Sequence, residues 1–211
     1  MKRRDFIYRS VAGTAFFSLG GMRAFSSNSF VGKQSFCYQS ERKIPVVYTV
    51  DVVVVGGSTA GVAAAVKAAQ SGAQVFLAAQ EPYLGEDLCG TYRYWRDDKN
   101  YVSNLEKLIF AEGLPSPMHV KRTLDQQLID NNVGYLYSSY VTDIIMNENN
   151  QLAGVVISNR SGRQAVMAKV VIDATPRAMV ARMTSAEFPA YPGGKHNFKY
   201  TVIGNEAKNI E

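Results

Sequence analysis

Six consecutive residues, Gly56-Gly57-Ser58-Thr59-Ala60-Gly61, have the types and spacing to hold phosphate. Phosphates sit at a helix N-terminus when the backbone approaches closely and its unpaired N–H groups point at them. Gly56, Gly57 and Gly61 permit that approach, and Ala60 with Ala63 to Ala65 keeps the following helix thin enough to lie against strands. Written as G-x-G-x-x-G, the glycine positions are Gly56, Ser58 and Gly61, so a serine stands in the middle. A glycine fingerprint alone is weak evidence, and its context decides. Four valines, Val52 to Val55, precede it, a helix-compatible segment follows, Gly72 supplies a helix stop, and a second apolar run covers Val75 to Ala79. The stretch from Asp51 to Gln80 reads as the first βαβ unit of a dinucleotide-binding fold. An ordinary βαβ unit without a ligand is the blander alternative.

Other reactive residues are sparse. A ribose-binding acid is expected at the end of the second strand, about 20 residues past the glycines. Ala79 stands in that slot. Glu81 or Gln80 can bend back to a ribose, and Glu81 can equally be a solvated loop residue. Cys89 is a weak catalytic candidate, since a single cysteine is more often a small buried hydrophobe. Cys37 lies in a polar, irregular stretch, which makes a bridge to Cys89 unexpected. His119 and His196 are far apart and lack Cys or acid partners at ligand spacing, so no metal is expected. No Ser/His/acid constellation and no internal repeat is present. Trp95 and the tyrosines around it read as core packing before ring stacking.

These residues need elements to position them. Glu81 to Val120 is polar and aromatic, too long for one loop, and is expected to hold one or two helices. Lys121 to Asn131 reads as a helix with Leu124 and Leu128 on one face. Strands are expected over residues 134–140, 141–146, 152–158 and 164–168, with turns at 147–150 and 159–162, forming a β-meander. A further buried strand, Lys169 to Asp173, ends in Asp173-Ala174-Thr175 at the carboxyl edge of the sheet, where open α/β sheets bind ligands. Pro176 to Phe188 is predicted to form a helix, and Tyr191 to Gly204 to begin another sheet.

The ends differ from the middle. Residues 1–43 carry eight Lys/Arg and two acids, a balance of +6 in a chain of net charge +5, which leaves the remainder near −1. The folded part has no basic surplus for a nucleic-acid backbone, so that partner is excluded. Residues 1–25 join a basic start to a short, glycine-interrupted apolar run, too short for a stable membrane span. Arg3-Arg4, then Asp5, then Phe6-Ile7, fits a twin-arginine signal peptide, which makes the twin-arginine export machinery a partner and an exported, periplasmic location the expectation. Residues 26–47 read as a tether, 48–190 as the nucleotide-binding domain and 191–211 as the start of a further region.

The order DVVVVGGSTAG, then a meander, then VVIDAT resembles the FAD-dependent oxidoreductases of the glutathione-reductase-like flavoprotein superfamily. It is most similar to an exported bacterial group with a GG-[ST]-x-AG turn, over about residues 48–205. The resemblance implies an α/β fold: a Rossmann-like FAD-binding domain with a βαβ parallel sheet plus β-meander, here incomplete. It implies FAD as cofactor, with its pyrophosphate on Gly56, Gly57, Ser58, Thr59, Ala60 and Gly61. It also implies the ribose near Gln80 or Glu81, the adenine near Val141, and Asp173, Ala174 and Thr175 close to the cofactor. YLGEDLCGTYRYW is similar to the family's segment leading to the flavin, which implies that Glu86, Asp87, Cys89 and Arg93 line flavin or pyrophosphate. Redox cysteine pairs of that superfamily need a second nearby cysteine, and none is present. Family members are much longer, so the chain is expected to be the N-terminal part of a flavoprotein that oxidises a small organic substrate by hydride transfer. The alternative is a non-catalytic nucleotide-binding fragment. An NAD-dependent dehydrogenase is disfavoured by the meander and VVIDAT order.

Overall fold

The valine run does what continuous β-branched sequence does when it is covered on both faces: it forms a central parallel strand. The computed structural model describes residues 41–95, 103–111, 113–190 and 192–197. The signal segment at Arg3-Arg4, Cys37 and most of the predicted tether lie outside the described residues. Strand β1 (Val46–Val55) is followed by helix α1 (Thr59–Gln70) and strand β2 (Val75–Ala78). Helices α2 (Glu86–Cys89), α3 (Asn104–Phe110) and α4 (Pro117–Asp130) come next. Strands β3 (Gly134–Leu136), β4 (Tyr140–Met146), β5 (Leu152–Asn159) and β6 (Gly162–Asp173) complete the order. Everything described from Lys43 onward belongs to one packed unit.

The sheet order is β3-β2-β1-β6-β5-β4. β3, β2, β1 and β6 run parallel, while β5 and β4 are antiparallel additions. Val52 to Val55 sit between Val75 to Ala78 on one side and Val170 to Asp173 on the other. Alternation along the strands separates two cores. Val54 and Leu77 pack with Val62 and Ala65 of α1 and with Val120, Leu124 and Leu128 of α4. Val53, Val55, Phe76 and Ala78 face the other way, onto Val141, Val155, Ile157 and Val166 of the meander. Helices therefore cover one face and the meander the other.

Local sequence sets the element ends. Ser58 caps α1 by accepting from the N–H of Gly61, and Gly72 leaves the helix at φ +90°. Ser116 and Pro117 start α4, four residues before the predicted Lys121, because proline fits the first helical position. A capping box between Ser103 and Glu106 starts α3.

Four expectations need correction. The predicted strands at 164–168 and 169–173 are one strand, β6, with no turn former between them. It pairs parallel with β1 from Ala165 to Asp173, and its first half, Gly162 to Met167, also pairs antiparallel with β5 on the other side. The predicted strand 134–140 stops at Leu136 and pairs parallel with β2 at the far edge of the sheet instead of joining the meander, and Tyr140 belongs to β4. The helix predicted from Pro176 does not form: the segment is turns with one 3₁₀ turn over Ala181–Met183. Ala178 at φ +49° breaks it, and the Asp173 carboxylate draws the N–H groups of Val180 and Ala181 back to the sheet edge. Residues 192–197 of the predicted next sheet contain no strand, and the rest of that stretch lies outside the described residues.

Candidate functional site

The glycine turn leaves the carboxyl end of β1 between two neighbouring strands. The Gly56 N–H donates to the Ala78 carbonyl at 2.9 Å, and the Ala174 N–H donates to the Val55 carbonyl at 2.8 Å. Gly56 adopts φ +115°, and a Cβ there would lie 2.6 Å from the Ala174 carbonyl oxygen. A Cβ on Gly61 would lie 2.2 Å from the Gly56 carbonyl oxygen. The turn is thus closed so tightly by β6 and by its own helix that only glycine fits at either place. Ser58 ties the parts together: its hydroxyl accepts from the Gly61 N–H at 3.2 Å and donates to the Ala174 carbonyl at 3.4 Å.

The start of α1 has the donors an anion needs. Among the described residues, the N–H groups of Gly57, Ser58 and Ala60 carry no hydrogen bond. That backbone fits a pyrophosphate. Thr59 differs. Its N–H donates to Asp87 Oδ1 at 2.9 Å, and its hydroxyl donates to Asp87 Oδ2. Asp87 is held there because Gly85, the cap residue of α2, donates its N–H to the Gly57 carbonyl at 2.8 Å.

Two spaces flank the turn. On one side, Thr59, Ala60, Asp87, Arg93, Trp95 and Phe110 line a cavity of about 510 Å³. On the other, Gly56, Gln80, Val141, Thr175 and Met179 line a crevice of about 10 Å³. That is room for about one water. The structure therefore gathers Gly56, Gln80, Val141 and Thr175 at one wall and Thr59, Ala60, Asp87 and Arg93 at the other. Ala174 lies between, under Gly61.

The remaining predicted residues sit apart from these walls. Glu81 is half-buried and does not line the crevice, and its carbonyl accepts from the Ser138 N–H. Asp173 points into its own loop, where its carboxylate accepts from the Thr175 N–H and hydroxyl and from the N–H groups of Val180 and Ala181. Both carboxylate oxygens of Glu86 are shielded from solvent without a hydrogen-bond partner. Burial, then the charges of Glu81 and Asp87, push the Glu86 carboxyl above its ordinary value. Cys89 is half-buried, its thiol directed at the Pro117 carbonyl at 3.8 Å, and burial raises it away from the thiolate. Such a thiol is not an activated nucleophile. Tyr94, whose hydroxyl donates to the Cys89 carbonyl, is pushed up to about 12, mainly by burial.

Sequence reasoning missed the cavity walls given by Ile109, Phe110 and Met179, and it gave Trp95 to core packing first, whereas Trp95 lines the cavity. No local pattern marks them, since three separate elements bring them to the turn. The linking role of Ser58 had a signal, a serine immediately before a helix. Among the described residues, no group of three or more His, Cys, Asp or Glu side chains is placed to hold a metal ion. Among them, too, no helix is long and apolar enough to cross a membrane.

The family model for FAD dependent oxidoreductases matches residues 51–200, and the chain belongs to that family. Its cofactor is FAD. No curated protein matches the chain. Among solved structures, Thermovibrio ammonificans THI4 is similar at 16% identity, with a TM-score of 0.51 over 66% of this chain and 64% of that one. L-proline dehydrogenase from P. horikoshii is similar at 21% identity, with a TM-score of 0.45 over 67% of this chain and 25% of that one. The 3-ketosteroid-delta4-(5alpha)-dehydrogenase from Rhodococcus jostii RHA1 gives 16% identity and a TM-score of 0.43, over 60% of this chain and 46% of that one. The chain thus matches 64% of the length of the THI4 protein, whose likeness establishes the Rossmann-like FAD-binding fold.

Proposed function

We propose that this chain forms the FAD-binding part of an exported flavoprotein oxidoreductase, in which hydride passes from a reduced organic substrate to FAD and then to an acceptor. The observation that carries this reading is the turn at Gly56–Gly61. It lies within the matched family span and presents the N–H groups of Gly57, Ser58 and Ala60 beside a cavity. When bound, FAD supplies the redox chemistry, and the protein's share is binding, orientation and exclusion of water.

In this proposal the α1 N-terminus holds the pyrophosphate, with Arg93 on the same cavity wall offering a positive charge. Gln80 lines the crevice and Glu81 does not, so we assign the adenosine ribose to Gln80. Val141 and Thr175 bound the adenine side, and the 510 Å³ cavity takes the ribityl and flavin side. Asp173 acts indirectly, by fixing Ala174 and Thr175. Cys89 serves packing. Within the family, the middle serine of the turn supports placement in the glutathione-reductase-like superfamily, among exported proteins with a GG-[ST]-x-AG turn. The leader with Arg3-Arg4 supports the twin-arginine route, which carries folded, cofactor-loaded cargo.

The cofactor reading is tested by purification: the protein is expected to be yellow and to release FAD on denaturation. A colourless protein that binds NADH but no FAD overturns it. Export is tested by changing Arg3 and Arg4 to lysine, which is expected to leave the precursor in the cytoplasm. Normal periplasmic accumulation of that variant refutes the twin-arginine route.

A further inference from the structure

An acid at the start of a phosphate-binding helix is unexpected, because the helix N-terminus favours an anion there, and a bound pyrophosphate is already that anion and repels a carboxylate beside it. The structure puts Asp87 there. One carboxylate oxygen accepts from the Thr59 N–H at 2.9 Å and the other from the Thr59 hydroxyl. Thr59, Ala60 and Asp87 line the same 510 Å³ cavity. The arrangement is anchored from both sides. Gly85 is bonded through its N–H to the Gly57 carbonyl, and Leu88 and Cys89 donate their N–H groups to the Gly85 carbonyl. Asp87 is therefore presented to the turn by a short helix that hangs from the turn itself.

We propose that Asp87 is a built-in competitor for the cofactor's pyrophosphate: its carboxylate holds the Thr59 donors when the site is empty and must be displaced when FAD binds. The inference rests on the assignment of the turn as the pyrophosphate site. It makes the empty chain self-capped, because the carboxylate satisfies an N–H that a bare helix end would leave without a partner. It also lowers affinity for any ligand that brings a phosphate to Thr59. The remaining donors, on Gly57, Ser58 and Ala60, are not contested by a described residue. Asp87 therefore weakens binding without abolishing it.

A residue that competes and a residue that supports the site leave opposite signatures. Removing a competitor weakens the empty protein and tightens the ligand. Removing a support weakens both. The experiment uses the full chain, with Asp87→Asn to remove the charge while keeping the shape, and Asp87→Ala to free both Thr59 donors. FAD and ADP binding are measured by calorimetry, and the empty proteins are melted in parallel. Adenosine, which lacks phosphate, serves as the control. Loss of one charge-assisted bond from the competing state corresponds to about a tenfold gain in affinity. The expected result is that Asp87→Ala binds FAD and ADP about tenfold more tightly, that Asp87→Asn gains less, and that adenosine binding is unchanged. Both empty variants are expected to melt below the parent.

Equal or weaker FAD and ADP binding by both variants overturns the proposal while leaving the turn as the phosphate site. If the gain extends equally to adenosine, the effect is general opening of the site and the proposal fails. If neither parent nor variant binds FAD or ADP, the assignment of the turn fails and this inference falls with it.

Discussion

Two loops leave the same edge of the sheet from adjacent strands, and they handle their hydrogen-bonding groups in opposite ways. The loop after β1 is short, rich in glycine and runs into a helix. Among the described residues it leaves the N–H groups of Gly57, Ser58 and Ala60 without partners. The loop after β6 is longer and lacks glycine up to the 3₁₀ turn. It folds back on one carboxylate, Asp173, which takes three N–H groups and one hydroxyl. The first leaves donors open and the second closes on itself. Their contact, from Ser58 and Gly61 onto Ala174, means that the self-satisfied loop forms the floor on which the open one rests. The proposed phosphate site needs both: unpaired donors, and a rigid neighbour to aim them.

The sharpest way to break the pair is at Gly61. A Cβ there meets the Gly56 carbonyl oxygen at 2.2 Å, a backbone atom that cannot swing aside. Gly61→Val is expected to cost about 3 kcal/mol or more of stability, with loss of FAD from whatever remains folded. Urea unfolding together with flavin content checks both. Normal FAD content in a folded Gly61→Val protein removes the turn as the phosphate site.

The second loop should fail differently. Asp173→Ala leaves the N–H groups of Thr175, Val180 and Ala181 without their acceptor. The expected cost is about 2–3 kcal/mol, read as a lower urea midpoint. FAD affinity should fall less than in Gly61→Val, since no donor to the cofactor is removed. An equal loss of affinity in both variants would mean that the two loops act as one binding element.

A smaller effect sits where they touch. Ser58→Ala removes the cap on the Gly61 N–H and the bond to Ala174. About 1 kcal/mol is expected, against a few tenths for Ser58→Gly, because glycine exposes the backbone to solvent and adopts cap geometry easily. Thermal melts of the two variants side by side test the order. Ser58→Gly would also restore a glycine at all three fingerprint positions, so its FAD binding should match that of the parent.

The difference between the loops also explains how far the sequence could be read. The first loop is local: four valines, closely spaced glycines and an alanine-rich helix lie within 20 residues, so pattern and structure agree from Val52 to Gln70. Helix α4 was legible for the same reason from Lys121 on, with Leu124 and Leu128 four residues apart, while its first turn and Val120 were not. The second loop was misread as a helix because its apolar spacing suits one. What decides it is a carboxylate seven and eight residues upstream of the N–H groups it captures. Strand β6 was split in two because a meander hairpin and a buried parallel strand read as separate patterns, and nothing in the sequence shows one strand serving both, with β5 along its first half and β1 from Ala165 onward. Asp87 and Thr59 lie 28 residues apart, and no periodicity announces such a contact.

The two loops contrast once more in their carboxylates, and here the expected effect is smallest and opposite in sign. Asp173 is fully engaged, whereas the Glu86 oxygens beside the first loop are shielded and unpartnered. Burial first, then Glu81 and Asp87, raise the Glu86 carboxyl above its ordinary value. An acid raised in the folded state binds its proton more tightly there than in the unfolded chain. Its ionisation therefore destabilises the fold progressively as pH rises from the ordinary value, about 4.3, through the raised one, and by a constant amount above that. Glu86→Gln cannot ionise and escapes this loss. The carboxylate oxygens are shielded but the residue as a whole is half-buried, and the solvent close by screens the charge and keeps the gain small, on the order of 1–2 °C in Tm. Melts at pH 8 and pH 4 are expected to show the variant above the parent at the higher pH and level with it at the lower. A variant that melts lower at pH 8 would mean that the Glu86 charge is used in the fold. The first loop would then be as self-satisfied as the second.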